Sequence, residues 1–400
     1  MTSAPPPSVS AASPPPAIRA IAPAWYRSPT ETVVASLRLS LGAYPVAGVV
    51  QGPDGSLYGG TTDGGLQRGP CWNGYYLGCG AVFRVAPDGT VSDLHQFDGR
   101  DGYQVIGGVT MASDGMLYGT TNDSFVPSVH GTIFRVAPDG TQFATLHRFE
   151  SDTRVDGFGS WGRLLEGRDG VLYGTTPYGG QTRGGSGDGY GTVFRICKDG
   201  RGFRVIHAFT GRDGANPEAG LIELPDGSLM GTTWGGGGTR NGTVFRLRRD
   251  GSRFQVVHVF TDGHAEHPGG LTLIGEHTVV GASGAATGDD AFFRMEIGGE
   301  EFLYVPTAGY VFSALTLVGT RLYGVAEGPR RGFVFSIGRG LDGLRTAYRF
   351  DGGPEDGARP AGQLLLSPID GNLYGTTISG GEFRCTQSFG NCGTVFSLQP

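Results

Sequence analysis

The stretch DGVLYGTTPYGGQTRGGSGDGYGTVFRICKDG (169–200) decides the fold. Two short apolar runs, LYGTT (172–176) and GTVFR (191–195), are bracketed by Asp-Gly pairs of the kind that turn hairpins. The same arrangement recurs along the chain. Registered on the apolar residue of LYGTT, the copies fall at Leu57, Leu117, Leu172, Leu229, Val279, Leu322 and Leu373. Each is followed by a GTVF-like run anchored at Phe83, Phe134, Phe194, Phe245, Phe293, Phe335 or Phe396.

Most copies go on to a strand ending at Phe97, Phe149, Phe209, Phe260 or Phe350, and the fifth, ending near Val305, is degenerate. A short strand of small residues, such as AGVV (47–50), IGGVT (106–110) or AGLIEL (219–224), precedes each LYGTT. Four short antiparallel strands per copy, repeated seven times, predict an all-β, seven-bladed β-propeller. The last copy stops after its third strand, GTVFSLQP (393–400), while TVVASLRL (32–39) reads as a spare fourth. The expectation is a 3+1 closure in which the chain start completes the last blade and hides both edges.

The pairing of DGxLYGTT with GTVF resembles the GloVer tandem-repeat family over about residues 33–400. That resemblance implies a propeller and little about activity. Blades five (Val279, Val280, Gly281) and six (Leu322 to Val325) depart from the motif.

The 74 Gly and 24 Pro in 400 residues approach a disordered composition, but their register with the strands makes them turns of a folded repeat. Residues 1–31, rich in Pro, Ser and Ala, read as a flexible leader before a single domain over 32–400. A net charge of -6 with scattered Arg argues against nucleic acid, and no apolar run is long enough for a membrane span or a signal peptide. The expectation is a cytoplasmic monomer. Cys71/Cys79 and Cys385/Cys392 read as two loop disulfides, which leaves export open. The alternatives are reduced thiols or four ligands of one metal, and Cys197 reads as a buried small residue.

An internal repeat separates structure from function, because a residue the fold needs recurs in every blade and a binding residue breaks the pattern. By that test the Asp-Gly turns and the four strand histidines His95, His147, His207 and His258 are structural. The opposite face varies. Its loops between second and third strands carry Trp72, Tyr178 and Trp234, suited to a planar or sugar-like ligand.

Nearer the axis, one residue before the recurring Pro, stand Tyr44, Gln104, Gly159, Asn216, His267, Tyr310 and Arg359. Three residues before these come Asp101 and Asp356, in an Asp-Gly context, and His264. His267 and His264 are the candidate proton-transfer groups, with Tyr310 and Tyr44 assisting. Arg359, Asn216, Gln104, Asp101 and Asp356, with Trp72, Trp234 and Tyr178, are the candidate substrate contacts. His264, Glu266 and His267 could take a divalent metal, although a third ligand is missing from the H-x-x-H stretch; no cofactor is expected. No serine-hydrolase elbow, phosphate loop, zinc-protease helix motif or dinucleotide fingerprint is present. The reading is an enzyme of lyase, cyclase or isomerase type acting on a small molecule at the channel mouth. The alternative is a glycan- or protein-binding propeller using the long loops.

Overall fold

The computed structural model describes residues 31–66, 71, 77–123, 129–150, 156–180, 189–261, 266–284, 290–307, 313–328, 331–386 and 390–400. The leader expected over 1–31 lies outside them except for Glu31. Seven antiparallel sheets of four strands form the ring, and the described residues contain no helix. Blade three shows the unit: Leu165–Glu166, Leu172–Thr176, Thr192–Ile196 and Arg204–Ala208, paired in chain order. Blade seven is closed as expected, by the N-terminal strand Glu31–Ser36 against Thr394–Leu398. That strand ends sooner than the 32–39 run, because the chain bends after Leu37 into a turn where Gly42 N donates to the Arg38 carbonyl at 3.0 Å.

The repeated motif has a physical reason at each position. A Cβ on the Gly of LYGTT would collide with the Phe ring of GTVF in every blade, from Gly59 under Phe83 to Gly375 under Phe396. Those rings are buried and build the layers between blades. The first Thr of LYGTT donates to the inner strand of the next blade: Thr120 to Ser160 O, Thr175 to Ala219 O, Thr232 to Gly269 O and, across the closure, Thr376 to Ala47 O at 2.9 Å. The second Thr bonds the Thr of GTVF within its own blade, as Thr176 does with Thr192 at 2.8 Å. In the Asp-Gly turns the Asp carboxylate accepts the N–H two residues on, for example Val171 N to Asp169 and Arg201 N to Asp199. Lys198 also has a counterpart: it pairs with Glu166 at 2.5 Å as Arg249 pairs with Glu223 one blade on.

The strand histidines are blade staples. His95, His147, His207 and His258 stack on Phe143, Phe203, Phe254 and Phe302 of the following blade, with centroids 3.4 to 3.9 Å apart. The first three also face an Asp-Gly carboxylate: Asp101 at 2.6 Å, and Asp156 and Asp213 at 3.2 Å. Burial opposes ionisation of Asp213, yet the His207 and Thr210 contacts outweigh it and hold its carboxyl below the usual range. A depressed carboxyl stabilises the fold above its unfolded pKa, and that contribution is lost as pH falls through the folded value. Asp213→Asn is therefore expected to cost about 1 to 2 kcal/mol at pH 7. The deficit should shrink as pH falls through the folded carboxyl's lowered value, where wild type becomes protonated as well; equal thermal unfolding at pH 7 would contradict the staple.

The candidate site at the ring mouth

Among the described residues, six blades enter through one residue that joins the blade to its predecessor. The N–H of Tyr44 donates to Cys392 O (3.0 Å), Gln104 to Cys79 O (2.9 Å), Asn216 to Tyr190 O (2.9 Å), His267 to Asn241 O (2.9 Å) and Arg359 to Arg331 O (2.7 Å). Each acceptor is the residue before the Gly of GTVF in the neighbouring blade. Reaching it forces the backbone into the left-handed region: φ is 58° at Tyr44, 60° at Gln104, 75° at Gly159, 56° at Asn216, 53° at His267 and 56° at Arg359. The conformation belongs to the fold, since blade three meets it with glycine. Five blades instead place a side chain there, in a geometry that costs about 1 kcal/mol or more for a residue with a Cβ.

Those side chains do different things. His267 stacks on the indole of Trp234 with centroids 3.7 Å apart and planes 8° apart, and its Nδ1 lies 2.8 Å from the Trp234 carbonyl. In blade four the equivalent contact is made by an amide donor, Asn216 Nδ2 to Pro177 O at 2.9 Å. Nδ1 of His267 is thus a donor, which leaves Nε2 as the acceptor. Glu266 Oε2 stands 3.9 Å from Nε2, and Trp234 is 42% exposed.

At the junction of blades two and three the Trp161 indole N–H donates to Asn122 Oδ1 at 2.5 Å, and Asn122 Nδ2 donates to Gln104 Oε1 at 3.3 Å. Tyr178 packs edge-on to Trp161 and stacks on Phe158. Arg359 is exposed and bridges to Glu327 at 2.7 Å.

The remaining candidates are placed differently. Tyr44 is buried in the core between the first and last blades, near Cys392, and not in the mouth. Asp101 accepts from Asp98 N and faces His95, and Asp356 accepts from Gly357 N and Gly352 N, so both serve their own turns. His264, Tyr310 and Trp72 lie outside the described residues. Of the metal candidates, Glu266 and His267 are side by side, while among the described residues no group of three or more metal-ligating side chains is present. Cys71–Cys79 and Cys385–Cys392 are disulfides with Cα separations of 5.2 and 5.1 Å. Cys79 and Cys392 are also the carbonyl acceptors for Gln104 and Tyr44, so each disulfide anchors an entry residue.

The recurrence test applied to the inner strand reveals residues that composition hid. Directly after the Pro position stand Val46, Ile106, Trp161, Glu218, Gly269, Phe312 and Ala361, and Glu218 is the charged exception. Two residues further on stand Gly48, Gly108, Arg163, Gly220, Leu271, Ala314 and Gln363, where Arg163 and Gln363 are the polar exceptions. Burial alone pushes the Glu218 carboxyl up to about 7 and lowers Arg163 to about 10.

The family model of the Gloeobacter/Verrucomicrobia repeat matches residues 25–186 and 69–291. No curated protein matches. Among solved structures, the ring is similar to the extracellular domain of the one-component system BT4673 from B. thetaiotaomicron, at 11% identity and a TM-score of 0.56. The match covers 94% of this chain and 42% of that one, and shows the shared fold alone. A chain of a nidogen/laminin complex (16% identity, TM-score 0.46, 68% of this chain and 91% of that chain) also matches. So does a Thermus thermophilus protein named as an oxidoreductase (glucose dehydrogenase), at 18% identity and TM-score 0.45, over 72% and 95% of the two chains.

Proposed function

The chain belongs to the Gloeobacter/Verrucomicrobia repeat family, and we propose that it binds a small polar organic molecule at the mouth of its propeller, with His267 as the proton acceptor. The left-handed entry ring carries the reading. A fold that accepts glycine at this position keeps Gln104, Asn216, His267 and Arg359 there against backbone strain, and the side chains account for that cost. Trp234 supplies an exposed aromatic surface beside an oriented imidazole, and Asn122, Asn216 and Gln104 supply amides at other blades of the ring. Proton removal by Nε2 needs no organic cofactor, and suits a lyase, cyclase or isomerase step. Arg359 would attract an anionic end of the ligand from the rim, once it exchanges Glu327 for the ligand.

Two variants test it and separate catalysis from binding. His267→Gly satisfies the backbone as blade three does, so strain relief of about 1 kcal/mol should offset the lost stack and leave thermal unfolding nearly unchanged. Small molecules enriched from a bacterial metabolite extract by wild type, read by mass spectrometry, should no longer be enriched; unchanged enrichment would overturn the site. His267→Asn keeps the carbonyl contact, as Asn216 does, but lacks the acceptor nitrogen. It should still retain the ligand while losing at least about 100-fold in conversion, and full conversion by this variant would refute the proton-transfer role.

A further inference from the structure

At the level of the inner strands the ring is closed by backbone packed on backbone. Gly162 lies against Ala219, Gly220 against Arg163, and Gly48 against Gln363, so no Cβ fits at these glycines. Into this narrow throat blade three sends the Arg163 side chain. It passes within van der Waals contact of Gly108 and reaches blade one, donating to the Gly48 carbonyl at 2.7 Å. Among the described residues that is its only hydrogen bond, and none of them places a carboxylate within ion-pair distance. A guanidinium has five donors in a planar fork.

A structural plug would be served by an uncharged side chain of similar reach. A cation drawn out of water and given one neutral carbonyl costs several kcal/mol unless an anion completes its shell. Arg163 is half-buried, so the residue is not sealed from solvent. We infer that the axial channel is an oxyanion site, in which Arg163 binds the carboxylate or phosphate group of a small molecule through the donors that the Gly48 carbonyl does not use.

The inference stands independently of the mouth ligand, because it rests on a different residue at a different depth. The test is NMR on the full chain labelled with 15N-arginine. The Arg163 Nε–H resonance is assigned by its through-space contact with Gly48 and by its absence in Arg163→Lys. Sodium acetate and sodium phosphate are titrated against sodium chloride at matched ionic strength. A saturable shift of this resonance with acetate alone assigns a carboxylate, with phosphate alone a phosphate ester, and with both a general oxyanion site. Absence of a saturable shift with either probe, or an equal shift with chloride, overturns the inference. The response should persist in His267→Gly, which separates the channel site from the mouth.

Discussion

Deleting residues 31–39 is expected to abolish cooperative unfolding of the whole ring, not merely to loosen one blade. The strand Glu31–Ser36 pairs with Thr394–Leu398 from Glu31 opposite Leu398 to Ser36 opposite Thr394, with one bulge between Val33 and Ala35. Its loss exposes the edge of the last blade and uncovers the core that Ala35 and Leu37, both nearly inaccessible, help to fill. Burying the apolar side chains of this segment contributes about 5 kcal/mol, a large share of the roughly 5 to 15 kcal/mol typical of a folded protein. The damage spreads because blade seven holds blade one through Thr376 Oγ1 to Ala47 O, Tyr44 N to Cys392 O and the packing of Gly48 on Gln363. Calorimetry should show no sharp transition for the deletion variant, and a synthetic 31–42 peptide should restore one. A midpoint within about 3 °C of the full chain would show that the closure contributes little.

That closure was readable because a missing strand at one end and a surplus strand at the other are both visible in register. The Gly of LYGTT was likewise readable, since it recurs wherever the Phe of GTVF recurs. The left-handed entry ring was not. Tyr44, Gln104, His267 and Arg359 carry no local signal for positive φ; only Gly159 and Asn216 do, and the conformation is imposed by a hydrogen bond to a different blade. For the same reason the sequence placed Tyr44 in the mouth, whereas the disulfide loop of the last blade draws it into the core. Arg163 and Glu218 escaped notice because the inner strand looks uniform when scored by residue size. Comparing it position by position across blades exposes both.

Glu218→Gln should stabilise the protein by an amount that grows as pH rises from 4.5 toward 7 and then holds. The wild-type carboxyl is raised from 4.5 to about 7 by burial, with no cation among the described residues to offset the loss of water. A folded pKa above the unfolded one means that the folded chain holds the extra proton between those values. Stability is then greatest below pH 4.5, declines as pH rises toward 7 and stays lower beyond it. A shift of this size corresponds to about 3 kcal/mol, reduced to about 2 kcal/mol because the group retains partial contact with solvent. Glutamine never ionises, so the variant should unfold about 2 to 4 °C higher than wild type at pH 8.5 and at the same temperature at pH 4.5. Glu31, also raised to about 7, by burial and then by the charge of Asp356, tilts both proteins alike and cancels in the difference. A difference that did not change with pH would mean that Glu218 ionises as freely as on the surface.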